Sequence, residues 1–328
     1  MNRRKFNKAT GLTALSLMSG LGIGCKNKPA DKALEVIDAS ANKLFYKPSL
    51  AQWSLNRSIK EKKLDAFNFA AMSRSLGFEA VEYVSQLYIP YLDASSSILS
   101  GMQSLSKKLL EKSNEQAIEN LLIMIDEEGD LGFQDKSKRL ESVENHKKWV
   151  DAAKFIGCHS IRVNLFGEGS MQEQQDNSVD SLALLGTYAK DQNINVLVEN
   201  HGGYSSDPNW LVQVMKMVNM DNVGTLPDFG NFCIEREGGE RWNTPCINEY
   251  PDIYEAVELM MPYAKAVSAK SFNFDAHGNE TKIDYYKMMK VVKDAGYQGY
   301  IGIEFEGDAP ETKGILATRA LMEKAARN

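Results

Sequence analysis

Short apolar runs recur along the chain and alternate with longer stretches in which apolar residues are spaced three or four positions apart. Runs of the first kind are typical of β-strands buried on both faces, and the second spacing is typical of amphipathic helices. Several helical stretches open on Asp, Ser or Asn and close on Gly or Asn, as capped helices do. The predicted strands cover residues 49–55, 80–84, 120–125, 160–166, 195–200, 222–228, 266–272 and 300–305.

Eight strands that alternate with about eight helices predict a parallel sheet with helical crossovers, and eight is the number that closes a (β/α)8 barrel. The alternative, an open doubly wound sheet, has less support because no glycine-rich phosphate loop follows the first strand. We therefore predict an α/β fold with a single (β/α)8 TIM barrel that covers residues 47–328.

The first 25 residues follow a different pattern. A basic start with Arg3–Arg4 precedes a weakly apolar run over residues 9–23, and together they resemble the twin-arginine export pattern. The run is too short, and too rich in Gly, Ser and Thr, for a membrane span. Cys25 follows the segment "LGIG", which resembles a bacterial lipoprotein cleavage site, although Gly22 stands where a larger aliphatic residue is usual. We predict an export signal over residues 1–25 and a polar tether over residues 26–46.

The expected location is the periplasm, with membrane contact only through a lipid anchor if Cys25 is acylated. The formal net charge of −6 argues against a nucleic-acid partner, because binding to phosphates needs a basic face. The other cysteines, Cys158, Cys233 and Cys246, match no zinc-binding spacing. One disulfide is allowed, with Cys233 and Cys246 as the nearest pair, but we interpret all three mainly as packing residues.

Three of the apolar runs deliver a carboxylate at their C-terminal ends: Glu199, Asp228 and Glu304. In a (β/α)8 barrel these strand ends meet at one mouth, which is where such barrels place their active sites. Three carboxylates in one place repel each other unless a cation joins them. Oxygen ligands with few histidines predict one divalent metal and favour Mn²⁺ or Mg²⁺, with Zn²⁺ as the alternative. The alternative is that some of these acids are salt-bridged residues of the barrel rim.

The segments "VENHGGYSSDPNWL", "VGTLPDFGNF", "VSAKSFNFD" and "YIGIEFEG" resemble the sugar phosphate isomerase/epimerase superfamily, the xylose-isomerase-like TIM barrels. The resemblance implies that Glu199, Asp228 and Glu304 ligate one metal, and that the two glutamates are catalytic and shuttle a proton through an enediolate. A fourth ligand of the family, a histidine on strand seven, is absent. Its place falls at or near Ser268, with Lys270 two residues on.

A second histidine of the family is replaced by Asn231, and His201 follows Glu199 by two residues. We expect both to contact substrate, with a metal-ligand role for His201 as the alternative. Arg162 and Asn164 point the same way on strand four and suit sugar hydroxyls, and the alternative for Arg162 is an ion pair with an acid of the rim.

Lys270 is a candidate catalytic residue that neutralises a carboxylate or holds a substrate oxygen, and the alternative is an interior lysine paired with an acid. The long segment from residue 233 to residue 251 carries Trp242, which we expect to stack on a sugar as part of a lid. The alternative for this segment is an Ω-loop that packs on itself. Glu82 faces either the barrel or a helix. For Asp126 we expect no role beyond exposure to solvent.

These features predict a divalent-metal-dependent sugar isomerase or epimerase that abstracts a proton next to a carbonyl. Predicted export favours an unphosphorylated saccharide or glycoside as its partner. The first alternative is a 3-keto-glycoside lyase that uses the same proton abstraction for elimination. The second is a non-catalytic exported sugar-binding protein, which the absent strand-seven histidine supports.

Overall fold

A computed structural model describes residues 44–327. The predicted export signal, Cys25 and most of the predicted tether lie outside the described residues. Within the end of the tether, Tyr46 is already buried and Leu44 and Phe45 pack against the core. Between residues 44 and 327, no helix combines the length and the apolar character that crossing a bilayer requires.

Eight parallel strands form one curled sheet, which confirms the predicted α/β TIM-barrel fold. The strand segments that the apolar runs predicted all take part, with shifted ends. In the sheet each strand lies beside the next one in the barrel sequence, and the first strand pairs with the last. The strands are β1 (Lys47–Ala51), β2 (Ala80–Val84), β3 (Glu119–Met124), β4 (Ser160–Val163), β5 (Asn195–Glu199), β6 (Val223–Leu226), β9 (Val267–Ser271) and β10 (Tyr300–Phe305).

The barrel closes between β6 and β9 through the residues that follow β6. The backbone N–H of Phe229 donates to Ser268 O at 3.1 Å, and Ser268 N–H donates to Pro227 O at 2.9 Å. Because Pro227 has no N–H to donate, the regular ladder gives way here to isolated bridges. One bridge joins Asp228 to Ser268, so the barrel closes beside a predicted site residue.

Helices surround the sheet, and their ends follow the predicted capping chemistry. Asp135 accepts a hydrogen bond from the N–H of Lys138 at one N-terminus, and Ser170 forms a capping box with Glu173 at another. The helices are α1 (Asn56–Lys60), α2 (Phe69–Ser75), α3 (Ile89–Asp93), α4 (Ile98–Glu115), α5 (Lys136–Ile156), α6 (Met171–Asp191), α7 (Pro208–Val218), α8 (Ile253–Met260), α9 (Tyr285–Asp294) and α10 (Glu311–Ala326).

The core has two parts, because each strand buries both of its faces. The larger part lies between the strands and the helices, and the smaller part fills the barrel interior with residues such as Leu197 and Leu226. Side chains alternate along a strand, so Glu199 and Asp228, two residues further on, also face inward. The apolar interior layer therefore forms the floor beneath the carboxylates.

Glu82 on β2 faces the barrel interior and is almost fully buried. Its Oε1 accepts a hydrogen bond from Ser49 Oγ at 2.7 Å, whereas its Oε2 is buried without a hydrogen-bond partner. The space for this carboxyl group comes from Gly302, where any side chain would collide with it. Burial raises the pKa of Glu82 to about 7, so the group is held largely in its neutral form.

Replacing Glu82 by Gln should remove a pH dependence of stability. Between pH 4.5 and 7 the carboxyl group ionises in the unfolded chain but keeps its proton in the folded chain. Its contribution to the free energy of unfolding is therefore present at low pH and is lost as pH rises through about 7. From pH 5 to pH 8 the wild type should lose about 2–3 kcal/mol of unfolding free energy relative to Glu82→Gln. Urea denaturation of both proteins at both pH values measures this difference. If the unfolding free energies of the two proteins changed equally with pH, the raised pKa of Glu82 would be contradicted.

Candidate active site at the barrel mouth

Three strand ends bring Glu199, Asp228 and Glu304 together at the mouth. Glu199 is the last residue of β5, Asp228 follows β6, and Glu304 lies near the end of β10. One carboxylate oxygen from each residue lies within 4.8 Å of the others, and all three residues are buried. The predicted convergence is thus observed, while the roles of these residues in catalysis and metal binding stay predictions.

Lys270 on β9 lies between the carboxylates. Its ammonium Nζ is 2.6 Å from Glu304 Oε1, 3.0 Å from Glu306 Oε1 and 3.8 Å from Asp228 Oδ2. Burial alone would lower the pKa of Lys270, but Asp228 and Glu304 outweigh it and raise this pKa well above its usual range. Lys270 is therefore charged and neutralises acids at the mouth, a contact that fits both its predicted site role and the alternative of an interior lysine paired with an acid.

Arg162 on β4 is the second buried cation. Its Nη1 lies 2.8 Å from Asp126 Oδ1, and its Nε lies 2.8 Å from Glu199 Oε2. Burial would raise the pKa of Asp126, but Arg162 and then His201 outweigh it and lower this pKa to about 2. Asn164 donates to the same Asp126 oxygen at 2.7 Å. The prediction that Asp126 is simply exposed to solvent is wrong, because its carboxylate accepts hydrogen bonds from Arg162 and Asn164.

The mouth carries more negative than positive charge. Five carboxylates face only two cations in these contacts: Asp126, Glu199, Asp228, Glu304 and Glu306 face Arg162 and Lys270. The consequence is visible in the pKa values of two acids. Burial, together with neighbouring carboxylates, raises the pKa of Asp228 to about 7 and that of Glu304 well above its usual range, against the opposing effect of Lys270.

These residues fit a divalent metal ion. Asp228 Oδ2 is buried without a hydrogen-bond partner, which is expected of an oxygen that ligates a cation, whereas Glu199 Oε2 is ion-paired with Arg162 Nε. An all-carboxylate donor set suits Mg²⁺ or Mn²⁺. Glu199, Asp228 and Glu304 would hold the ion. In the described part of the chain no histidine joins this group, and the charged Lys270 cannot act as a ligand.

His201 lies beside this group rather than within it. Its Nδ1 is 2.8 Å from Asn164 Oδ1, and Asn164 must direct its amide nitrogen to Asp126. This arrangement assigns the proton to Nδ1 and leaves Nε2 of the neutral ring as a hydrogen-bond acceptor. Burial lowers the pKa of His201, which favours that neutral form. The geometry suits the predicted substrate contact better than a fourth ligand.

Two asparagines fix the carboxylates in place. Asn200 Oδ1 accepts from Asp228 N–H at 2.7 Å, and Asn200 Nδ2 donates to Asp228 O at 2.9 Å. Asn231, predicted to contact substrate, instead donates from Nδ2 to Glu199 Oε1 at 3.0 Å. Sequence reasoning missed Asn200 and Glu306. Alternation along β10 was a usable signal for Glu306, which lies two residues after Glu304, whereas nothing in the sequence marked Asn200.

The segment after β6 is a β-hairpin of β7 (Cys233–Arg236) and β8 (Cys246–Glu249). A disulfide joins Cys233 to Cys246, so our interpretation of these two cysteines as packing residues is wrong, whereas Cys158 is free and buried. The Ω-loop alternative is also wrong, because the segment pairs as a ladder. Trp242 at the hairpin tip lies with its ring centroid 4.7 Å from that of His201, over the predicted substrate contact.

A family model described as xylose isomerase-like TIM barrel matches residues 70–325. The chain belongs to this family. The resemblance inferred from the motifs is therefore confirmed. No curated protein matches the sequence.

Solved structures of this xylose isomerase-like family share the fold. A D-allulose 3-epimerase from Methylomonas sp. has a TM-score of 0.62 at 13% identity, covering 86% of this chain and 99% of that one. For a 3-keto-D-glucoside 4-epimerase from E. coli the TM-score is 0.58 at 13% identity, with 85% and 99% covered. A family protein from Mycobacterium smegmatis in complex with magnesium has a TM-score of 0.58 at 16% identity, with 88% and 98% covered. At these identities the likeness shows the fold.

Lys270→Met should tighten the binding of Mn²⁺ to this xylose isomerase-like barrel at least tenfold. The substitution removes a positive charge 3.8 Å from Asp228 Oδ2, and two unit charges about 4 Å apart interact by about 4 kcal/mol at an effective dielectric constant of about 20. Calorimetric titration measures the affinity, and a thermal melt checks folding. Lys287→Met, which removes a half-exposed lysine at Asp252, is the matched control. Unchanged or weaker binding of Mn²⁺ to Lys270→Met would contradict the assignment of the three carboxylates as the cation site.

Proposed function

We propose that this protein is a divalent-metal-dependent sugar isomerase or epimerase that moves a proton next to a carbonyl group. The observation that carries the proposal is the group of Glu199, Asp228 and Glu304, buried at the barrel mouth with their oxygens within 4.8 Å of one another. Their negative charge exceeds what Arg162 and Lys270 balance. This is the composition of a cation site in the position where barrels of this fold carry out chemistry.

When bound, a divalent ion would act as a Lewis acid on a substrate carbonyl or hydroxyl oxygen. Glu199, one of the three carboxylates of this group, takes the proton from the carbon next to the carbonyl. The C–H bonding electrons move into the carbonyl and give an enediolate. Glu304 returns a proton to the carbon skeleton. Protonation of the opposite face gives an epimer, and protonation of the neighbouring carbon gives an isomer.

Lys270 and His201 would hold the substrate. Lys270 has three N–H donors and uses two of them on Glu304 and Glu306, which leaves the third for a substrate oxygen. His201 Nε2 accepts from a sugar hydroxyl while Asn164 fixes the ring. In this proposal Arg162 acts through Glu199 and Asp126, its partners, rather than by direct contact with the sugar.

The substrate class in this proposal is an unphosphorylated ketose or keto-glycoside. The two epimerases with the same fold are named for such sugars. The excess of carboxylates at the mouth would repel a phosphate group, because both buried cations are already paired with acids. An unphosphorylated sugar also agrees with the predicted export of the protein.

The alternatives have less support. The two named epimerases with the same fold give no support to the lyase alternative. A non-catalytic sugar-binding protein would retain the fold, but binding alone does not require three buried carboxylates with oxygens within 4.8 Å of one another. Deuterium incorporation and the identity of the products distinguish an isomerase or epimerase, a lyase and a sugar-binding protein.

Full-length protein with Mn²⁺ should incorporate solvent deuterium into a ketose or a methyl 3-keto-glucoside in D₂O and form the epimer or isomer. Mass spectrometry and proton NMR measure both products. Glu199→Gln and Glu304→Gln should each slow deuterium incorporation about 10²–10⁴-fold, because each removes one proton-transfer group. Glu258→Gln, which changes an exposed glutamate on α8, is the control. Binding without deuterium incorporation would indicate a sugar-binding protein, and release of methanol would indicate a lyase.

A further inference from the structure

The tip of the β7–β8 hairpin is bound to the opposite side of the mouth by Arg241. Its guanidinium donates from Nη1 to Asp130 Oδ1 at 2.9 Å and from Nη2 to Asp130 Oδ2, which is the bidentate geometry of a strong ion pair. The same guanidinium lies 4.6 Å from the centre of the Phe166 ring. Arg241 thus contacts the loops that follow both β3 and β4.

These two loops form one fixed base for Arg241. The backbone N–H of Gly132 donates to Phe166 O at 2.8 Å, and any side chain at Gly167 would collide with the Gly132 carbonyl. Ser181 Oγ on α6 donates to Leu131 O at 2.7 Å and ties the loop after β3 to that helix. Asp130, next to Leu131, and Phe166 are therefore held in a constant relation to each other.

The second strand of the hairpin, β8, does not pack into the core. All four residues of β8 are exposed, and the Cys233–Cys246 disulfide joins the two strands only to each other. Trp242 follows Arg241 directly and lies against His201 and, edge to face at 5.5 Å, against Phe166. The position of the indole over the mouth thus depends on the contacts that Arg241 makes.

We propose that Asp130 and Arg241 are a positioning pair that holds Trp242 across the mouth as a stacking wall for the sugar ring. Trp242 is about 41% exposed and lies beside the hydrogen-bond acceptor of His201, which suits a ring with C–H groups on one face and hydroxyls at its edge. The identity of the ligand rests on the proposed function. The positioning of the hairpin tip does not.

Limited proteolysis of the full, disulfide-bonded chain tests the positioning directly. Trypsin cleavage after Arg241, followed by mass spectrometry, should be about tenfold faster in Asp130→Asn than in the wild type, because the freed tip enters the protease more often. Asp130→Glu, which keeps the carboxylate, should restore most of the protection. Glu240→Gln, which removes one charge from the same exposed tip, should be cleaved at the wild-type rate. Equal rates in Asp130→Asn and the wild type would overturn the pair.

Kinetics on D-fructose or a methyl 3-keto-glucoside tests the stacking wall. Asp130→Asn and Trp242→Ala should raise KM about fivefold and leave kcat within twofold, because the wall binds the ring without taking part in proton transfer. Asp130→Glu should restore KM. Faster trypsin cleavage of Asp130→Asn with an unchanged KM would overturn the proposal that Trp242 is a stacking wall for the sugar. If the wild type turns over neither sugar, the proposed function fails, while the proteolysis still decides whether Asp130 positions the tip.

Discussion

The repulsion among buried carboxylates at the barrel mouth is the constraint on which the rest of the site depends. Parallel strands deliver acids to the same end, and the two buried cations divide them into groups. Arg162 joins Asp126 to Glu199, and Lys270 joins Asp228 to Glu304. Among the described contacts no cation joins Glu199 to Asp228, although they stand on neighbouring strands. Asp228 Oδ2 has no hydrogen-bond partner, so a divalent ion that joined Asp228 to Glu199 would complete the set.

Much of the fold could be predicted because alternation and burial leave a direct mark on the sequence. A strand buried on both faces needs a continuous apolar run, and a carboxylate at the end of such a run has to be paid for by chemistry or pairing. This is why Glu199, Asp228 and Glu304 were recognisable as a group. The β7–β8 hairpin left no such mark, because β8 is exposed and its residues carry no apolar alternation.

The parts of the site that were missed depend on contacts between distant segments. Asp126 looked like an exposed acid because its partners Arg162 and Asn164 lie on the next strand. Asn200 acts through the backbone of Asp228, and a single sequence does not reveal such a bond. The pairing of Arg241 with Asp130 spans 111 positions and joins residues that have no common pattern. Local patterns predict which way a side chain points, whereas tertiary structure decides what it meets.

The central claim is that the carboxylate group at the mouth is a site for one divalent cation. Calorimetric titration of the full chain with Mn²⁺, beside the Asp228→Asn variant, tests it most directly. We expect one ion per chain in the wild type and at least a hundredfold weaker binding in Asp228→Asn, because the variant loses the charge of one of three ligands. Absence of binding to the folded wild type, or equal binding to both proteins, would contradict it.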